Sequence, residues 1–224
     1  MKPAILFDID GTLLYAKGIG RLAFAEAFAE AYGVEADCSQ ISFVGATDTA
    51  IVRELAQQYH VTSTPAKEEH FGLVLTTRLD ERLRKPGAIA VYPGIPAFLK
   101  TLKDSGFELG IVTGNLRTTA WSKLIHAGLA EFFSFGSYAS DHHDRDVLAQ
   151  IACQRAADIG ATARLLIGDT PRDVRAAHAA GLPCLAFENG WVPHDAFVRA
   201  GTEALYSDFT DSASLMATVE MLCK

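Results

Sequence analysis

Short apolar runs alternate with longer amphipathic stretches over most of this chain, and the alternation predicts its fold. Apolar runs typical of buried strands lie at 4–7, 107–112, 164–167 and 184–187. The stretches at 116–127, 146–159 and 171–180 have helical periodicity. A short strand is also predicted at 132–135, and a strand with a closing helix at 204–224. Strands and helices that alternate in this way predict a parallel sheet with helices on both faces.

The segment between the first strand and the others has a different, purely helical pattern. Helices are predicted at 19–32, at 48–59 behind Thr47, and from Pro65 to about Leu83 behind Thr64. We therefore predict an α/β core, a Rossmann-like doubly wound parallel sheet, made of residues 1–15 and 91–224. An all-helical cap of residues 16–90 is inserted into it. Glycine and proline at both junctions favour linkers that let the cap move as a lid.

Composition narrows the possible partners and the location of the protein. The chain is 49% hydrophobic with a net charge of -7 and a pI of about 5.5, and it has no run of Lys or Arg. Nucleic acid and anionic membranes are therefore poor candidates as partners. No apolar run reaches the ~20 residues that span a bilayer, and a strand that begins at Ala4 leaves no room for a signal peptide. We expect a cytoplasmic monomer or weak homodimer.

Two carboxylates follow the first strand. Asp8 and Asp10 lie two residues apart before Gly11, which ends the strand because glycine turns without steric cost. In a continuing strand the two side chains share a face. If a turn intervenes, Asp10 swings away and presents its backbone carbonyl. In both cases acidic groups converge at a strand mouth, where open α/β sheets place their ligands, and their repulsion suggests a bound cation.

Polar groups follow two further strands. Thr113-Gly114-Asn115 offers a hydroxyl and backbone amides to an oxyanion, and Gly168-Asp169 is followed by Asp173 one helical turn later. Carboxylate oxygens suit a divalent hard cation, typically magnesium. Hydroxyl and amide donors beside them suit a phosphoryl group that is to be transferred.

These motifs together resemble the haloacid dehalogenase superfamily, and within it the helical-capped phosphatases similar to phosphoglycolate phosphatase. The resemblance rests on Asp8-Ile9-Asp10-Gly11-Thr12, Thr113-Gly114-Asn115 and Gly168-Asp169-Thr170-Pro171-Arg172-Asp173. Their order and spacing match, the cap falls in the expected position, and the resemblance covers essentially the whole chain.

The resemblance implies a phosphatase that acts on a small phosphorylated metabolite. Asp8 would be the nucleophile that becomes a phosphoaspartate, and Asp10 the acid and then the base. Thr113, with Gly114 and the backbone beside Asn115, would hold the transferred phosphoryl group. The implied magnesium ligands are Asp8, the carbonyl of Asp10, and Asp169, with Asp173 orienting the site.

One position departs from the family pattern. Relatives usually carry a Lys before the last acidic motif, and this chain has none between Asp141 and Asp146. Arg145 is the positive group that fits, so we predict that it supplies the missing charge. Lys123 and Arg172 are the rival candidates.

Possible substrate contacts in the cap are Lys17 and Arg21, near the hinge, and Thr47. The stretch from Gly45 to Asp48 matches the place where capped relatives insert a specificity loop, although it is equally consistent with a simple helix N-cap. We expect His142 and His143 to be solvated loop residues, and Trp191 to serve packing.

Three alternative functions remain open from the sequence. A phosphosugar mutase uses the same fold, but it needs cap residues that retain a bisphosphate and exclude water. A receiver-like regulator also uses a strand-end Asp with magnesium, although the 75-residue insertion disfavours it. The chain would be a catalytically inactive phosphate-binding protein only if Arg145, in place of the usual Lys, abolished catalysis.

Overall fold

A six-stranded parallel sheet lies at the centre of the computed structural model, which describes residues 1–39 and 41–224. The spatial order of its strands is β5-β4-β1-β6-β7-β8, and every neighbouring pair is parallel. These strands are β1 (Lys2–Phe7), β4 (Glu108–Val112), β5 (Phe135–Ser137), β6 (Ala161–Gly168), β7 (Cys184–Phe187) and β8 (Ala204–Tyr206).

Helices cover both faces of this sheet. Alternate residues of β1 point to opposite faces: Ile5 and Phe7 join one apolar cluster, and Ala4 and Leu6 join the other. The first cluster packs against α4 (Ile95–Asp104), α5 (Arg117–His126) and α9 (Ser212–Leu222), and the second against α6 (Arg145–Asp158), α7 (Pro171–Ala179) and α8 (His194–Ala200). The predicted doubly wound α/β core is therefore confirmed.

The inserted segment contains three helices with an apolar cluster of their own. They are α1 (Ile19–Tyr32), α2 (Asp48–Gln58) and α3 (Pro65–Leu83). The predicted caps are present, since the hydroxyls of Thr47 and Thr64 accept hydrogen bonds from the amides of Ala50 and Lys67. The predicted helical insertion is thus observed as one packed unit.

Two short strands join the insertion to the core. β2 (Leu14–Tyr15) pairs antiparallel with β3 (Ala90–Val91). The predicted domain limits, 1–15 with 91–224 and 16–90, stay a prediction. Strand β2 ends at the first limit, and β3 crosses the second. The linker expected at the first junction therefore begins in a hydrogen-bonded strand, because Tyr15 pairs with Ala90.

Some boundaries differ from the sequence prediction. The strand predicted at 132–135 lies instead at Phe135–Ser137, because Ala130–Phe132 forms a 3-10 turn. Helices α4 and α8 were not predicted. Helix α6 begins at Arg145, one residue early, since the side chain of Asp144 caps it. In the described part of the chain, no helix has both the length and the apolar character needed to cross a bilayer.

Candidate active site

The candidate site lies at the carboxyl ends of three adjacent strands, β4, β1 and β6. Phe7, the last residue of β1, is in register with Ile111 and with Ile167. Asp8, Thr113 and Asp169 follow these strands and are all buried. The order of the strands therefore brings these three residues together at one edge of the sheet.

Arg145 links two buried carboxylates of this site. Its Nη2 lies 2.7 Å from Oδ1 of Asp8, and its Nε donates to Oδ1 of Asp173 at 2.8 Å. All three side chains are nearly inaccessible to solvent. Arg145 is placed there because it is the first residue of α6, at the N-terminal end that faces the strand mouths. Two arginines line the cavity in the described residues, Arg145 and Arg21 of the cap. The position of Arg145 brings its guanidinium into contact with the strand-end carboxylate of Asp8.

Asp173 is held from two further directions. Its Oδ2 accepts hydrogen bonds from the backbone amide and the hydroxyl of Thr170, at 2.9 Å and 2.7 Å. The Asp173 amide donates in return to Oγ1 of Thr170 at 3.3 Å, which completes a capping box at the start of α7. With Oδ1 on Arg145 and Oδ2 on Thr170, both oxygens of Asp173 are occupied. Asp173 therefore positions Arg145 and the start of α7.

Asp8, Asp169 and Asp173 form a buried acidic cluster, with one carboxylate oxygen of each within 4.8 Å of the others. Burial raises the pKa of Asp8 to about 7, against the lowering effect of Arg145. Burial, and then the charges of Asp8 and Asp173, also raise the pKa of Asp169. One guanidinium does not balance three carboxylates, and an all-oxygen donor set suits a hard divalent cation. The cluster can therefore hold a metal ion.

The Asp169 carboxylate is oriented by neutral donors. The hydroxyl of Thr12 donates to its Oδ1 at 3.2 Å, and Nδ2 of Asn189 donates to its Oδ2 at 2.8 Å. Gly11 is required beside it, since φ is +90° and a Cβ at this position would lie 2.1 Å from Oδ2 of Asp169. These contacts fix the Asp169 side chain at the cavity.

Asp10 points away from the acidic cluster toward a second network. Its Oδ2 lies 2.6 Å from Nζ of Lys123 and accepts a 2.7 Å hydrogen bond from Nδ2 of Asn115. The same amide donates to Oγ1 of Thr113 at 2.8 Å, and Lys123 also donates to Oδ1 of Asn115 at 2.7 Å. The turn after β1 thus gives the two leading carboxylates different partners. Asp8 faces Arg145, whereas Asp10 faces Lys123.

The cap closes directly over the turn after β4. The backbone amide of Asp48 donates to the carbonyl of Gly114 at 2.7 Å, and its Oδ2 accepts from the amide of Leu116 at 2.9 Å. A Cβ at Gly114 would lie 2.0 Å from the carbonyl oxygen of Ala46. Gly114 is therefore needed for the close approach of the cap, and its carbonyl bonds the cap backbone.

The three cap residues predicted as substrate contacts have different positions. Lys17 and Arg21 line the cavity. Thr47 does not: it is buried, caps α2, and its hydroxyl donates to the carbonyl of His143 at 2.7 Å. The structure therefore places Thr47 in the contact between cap and core, and its predicted substrate contact does not fit this geometry.

Several site residues were not predicted as such from the sequence. Lys123 was considered only as a rival of Arg145, and Asp48 only as part of a loop or cap. The partner of Asp169, Asn189, lies in a loop with no motif. Trp191 was expected to pack, but it is 57% exposed and lines the cavity. The sequence does contain one indication that Lys123 is buried. It lies four residues after Thr119, so the two share one face of α5, and Thr119 is buried.

The remaining predicted candidates lie outside the site. Arg172, the other rival of Arg145, is exposed and passes beside Gly45. The rings of His142 and His143 lie against each other, with centroids 4.5 Å apart and planes tilted by 30°, in the loop before α6. The cavity has a volume of about 290 Å³ and is lined by residues of both the sheet edge and the cap.

The chain is similar to several known proteins. A family model of haloacid dehalogenase-like hydrolases matches residues 5–187. The phosphoglycolate phosphatase of Pseudomonas savastanoi pv. phaseolicola is 27% identical over 190 residues, which cover 84% of this chain and 70% of that protein. The phosphoglycolate phosphatase of Rhodobacter capsulatus is 26% identical over 220 residues, covering 94% of both chains.

A solved structure agrees with the fold. CbbY from Rhodobacter sphaeroides, crystallised as a variant in complex with xylulose-(1,5)bisphosphate, superimposes with a TM-score of 0.74. The two are 23% identical, and the match covers 94% of this chain and 96% of that one. The family match over most of the residues and the phosphatases among the relatives confirm the predicted family and enzyme class. The chain therefore belongs to the haloacid dehalogenase-like hydrolase family, as a hydrolase of the phosphatase type.

Proposed function

We propose that this protein hydrolyses a small organic phosphomonoester with magnesium and forms a phosphoaspartate on Asp8. The observation that carries the proposal is the contact of a buried strand-end carboxylate, Asp8, with the Arg145 guanidinium at a cavity that also contains Asp10 and Asp169. A carboxylate held in this way is oriented as a nucleophile. The arginine beside it offers charge to a phosphoryl oxygen.

In the first step, one Oδ of Asp8 attacks the phosphorus atom, and the bond from phosphorus to the leaving oxygen breaks. The Asp10 carboxyl donates its proton to that oxygen, so that an alcohol departs. Lys123 and Asn115 hold the Asp10 side chain in place for this transfer. Thr113 and the amides after it receive the equatorial phosphoryl oxygens.

In the second step, the Asp10 carboxylate takes a proton from water, and the water oxygen attacks the phosphorus of the phosphoaspartate. The bond from phosphorus to Oδ of Asp8 breaks, which regenerates the carboxylate and releases inorganic phosphate. Asp10 therefore acts first as an acid and then as a base, so one residue serves both half-reactions.

Asp8, Asp169 and the carbonyl of Asp10 are the groups that would hold magnesium. Its chemistry when bound is to neutralise charge on the phosphoryl group and on the nucleophile. Asp173 is unsuited as a direct ligand, because Arg145 and Thr170 occupy both of its oxygens. We assign Asp173 the role of holding Arg145 toward Asp8.

The relatives and the size of the cavity support a small phosphorylated metabolite as the substrate. The relatives include phosphoglycolate phosphatases, and the cavity of about 290 Å³ suits a small phosphorylated metabolite. The predictions of a cytoplasmic location and of a monomer or weak homodimer remain part of this proposal.

The direct test is hydrolysis of p-nitrophenyl phosphate by the purified protein. We expect activity with magnesium, loss on exhaustive chelation, and recovery when magnesium is returned. Asp8→Asn should be inactive, whereas Asp104→Asn, an exposed aspartate on α4, should match the wild type. Activity that survives chelation would remove the metal from the proposal.

The products of the reaction distinguish a phosphatase from the alternative, a phosphosugar mutase. A mutase converts a sugar phosphate into its isomer with little release of inorganic phosphate, whereas a phosphatase releases phosphate in proportion to substrate consumed. Measuring both products from the same sugar phosphate decides between them.

A further inference from the structure

One residue of the cap bonds the core on both sides of Asn115. The backbone amide of Asp48 donates to the carbonyl of Gly114 at 2.7 Å, and the amide of Leu116 donates to Oδ2 of Asp48 at 2.9 Å. Asp48 is the first residue of α2, and Leu116 immediately precedes α5. Its carboxylate therefore lies at the N-terminal end of α5, where the helix dipole favours a negative charge. The cap thus fixes the turn after β4 through two hydrogen bonds of a single residue.

The side chain of Asn115, which lies between these two bonds, holds the carboxylate of Asp10. Its Nδ2 donates to Oδ2 of Asp10 at 2.7 Å and to Oγ1 of Thr113 at 2.8 Å, and its Oδ1 accepts from Nζ of Lys123 at 2.7 Å. The same Nζ lies 2.6 Å from Oδ2 of Asp10. The Asp10 side chain is itself 39% exposed. In the part of the chain that the structure describes, its carboxylate has these two partners, so its position depends on them.

Both partners of Asp10 belong to the segment that Asp48 bonds. Asn115 lies within the turn, and Lys123 is on α5, which begins directly after the turn. On the core side, the amide of Ala139 donates to the carbonyl of Asn115 at 2.8 Å. The turn therefore keeps a core contact when Asp48 is changed, but it loses the hydrogen bond that the cap carboxylate accepts beside it.

We propose that Asp48 is a positioning residue for the catalytic acid Asp10. With the cap on the core, Asp48 fixes the turn after β4, and the contacts of Asn115 and Lys123 then direct the Asp10 carboxyl toward the leaving oxygen. This inference rests on the proposed function and adds a cap residue to its first step. The attack by Asp8 does not use this route, because Asp8 is held by the guanidinium at the start of α6. Loss of Asp48 therefore weakens protonation of the leaving group more than nucleophilic attack.

The test compares two phosphomonoesters of similar size that differ in their need for an acid, p-nitrophenyl phosphate and benzyl phosphate, both assayed with magnesium. Nitrophenolate leaves as a stable anion, whereas the oxygen of benzyl alcohol must be protonated as it departs. The value of kcat/KM covers the steps up to release of the alcohol, so it reports the acid role of Asp10 and not its later role as a base. The ratio of the two values from one preparation does not depend on the fraction of folded enzyme.

Asp48→Ala should lower kcat/KM for benzyl phosphate by about tenfold to 100-fold, because a positioned general acid contributes about 10²- to 10⁴-fold and this variant misplaces it. The value for p-nitrophenyl phosphate should change much less. Asp48→Asn should restore part of the selective loss, since its amide oxygen still accepts from Leu116. The matched control is Thr76→Val, because the hydroxyl of Thr76 on α3 lies 2.7 Å from that of Thr118 on α5. It removes another contact between cap and core and should affect both substrates by the same factor.

Equal losses for both substrates in Asp48→Ala, or an equally selective loss in Thr76→Val, would overturn the inference. Asp10→Asn separates this result from a failure of the proposed function. A selective loss in Asp10→Asn with equal losses in Asp48→Ala overturns the inference alone. Equal losses in Asp10→Asn reject the acid role of Asp10, and a crystal structure of Asp48→Ala then decides the positioning. An Asp10 carboxylate displaced from Asn115 supports it, and an unchanged contact overturns it.

Discussion

Arg145 is the residue on which the electrostatics of the site depend. It contacts Asp8 and Asp173, and all three side chains are buried. The missing lysine of the family pattern suggested Arg145 from the sequence, because a fixed cation is needed among so many carboxylates. The charge was predicted from the sequence, whereas the direct contact of Arg145 with Asp8 was not.

We therefore predict that Arg145→Ala lowers kcat by about 100-fold or more, as expected when one preorganised charge partner is lost. Arg145→Lys should restore part of the loss, since it keeps the charge without the planar fork. Steady-state kinetics on p-nitrophenyl phosphate provide the measurement. The control is Arg175→Ala, because Arg175 is exposed on α7 and pairs only with Asp146 in the described contacts. Wild-type turnover in Arg145→Ala, with fold and metal binding intact, would contradict the role of Arg145.

Lys123 shows what a sequence cannot reveal at the scale of single residues. Its pairing with Asp10 joins positions 113 residues apart, and it depends on how α5 packs against the turn after β1. Asp8, Asp10 and Asp169 were recognisable because each follows a strand at a short, fixed distance. Lys123, Asp48 and Asn189 carry no such local marker, so their place in the site appears only in three dimensions.

At the scale of elements, hydrogen bonds from α2 and α3 hold the cap on the core, in addition to the bond from Thr47 to the carbonyl of His143. The start of α2 bonds the turn after β4 through Asp48, and Asp80 of α3 accepts hydrogen bonds from Ser122 and His126 of α5, at 3.0 Å and 2.9 Å. Gly114 allows the first contact, because its missing Cβ leaves room for the carbonyl of Ala46. Cap closure therefore depends on the backbone at 114.

Gly114→Ala should reduce kcat/KM by about tenfold to 100-fold, because a displacement of about 1 Å between cap and core misplaces the reacting groups. Gly72→Ala is the matched control: it lies inside α3, where a Cβ makes an ordinary 3.4 Å contact. Both variants are assayed for turnover and for thermal unfolding. A fully active Gly114→Ala protein would show that this close approach is not required.

Asp48 makes the contact between cap and core sensitive to pH. Burial raises its pKa to about 6, against the lowering effects of Lys123 and the Leu116 amide. The native state therefore binds this proton more tightly than the unfolded state, whose Asp has a pKa near 3.9. The stabilising contribution is complete below that value and is lost as the pH rises through about 6.

The measurement is Tm at several pH values for the wild type and Asp48→Asn. The variant cannot titrate at this position, so its Tm relative to the wild type should rise by about 4 °C between pH 4.5 and 7.5. Asp104→Asn, at an exposed position, should show a constant difference. Parallel curves for Asp48→Asn and the wild type would contradict the raised pKa.

Periodicity predicted most elements, and it failed where elements are short or lack a buried stripe. Helix α8 spans seven residues and buries only Phe197, so it has almost no pattern to detect. The strand expected at 132–135 was misplaced because Phe132 and Phe133 are apolar residues of a turn and its end. Helix α4 has a clear apolar stripe and was overlooked behind the Tyr92-Pro93-Gly94 turn.

At the scale of the whole molecule, the order of the strands determines which polar strand ends lie together in the site. Strand β1 lies in the middle of the sheet between β4 and β6, so its carboxyl end is flanked by both other motifs. The sequence predicted a parallel sheet and three polar strand ends, but it could not predict which strands lie next to one another. That information arises from pairing between segments about 100 and 160 residues apart along the chain. The insertion then covers this edge and encloses the cavity.

The proposed reaction depends on a phosphoaspartate at Asp8, and this intermediate can be trapped and located. Rapid quenching with p-nitrophenyl phosphate and magnesium, followed by mass spectrometry of peptides, identifies the phosphorylated residue. Asp10→Asn should accumulate a phosphoenzyme whose phosphate maps to Asp8, because water is no longer activated while the nucleophile and metal binding are retained. Asp8→Asn should form none. Phosphate on any other residue, or a phosphoenzyme in Asp8→Asn, would contradict the account.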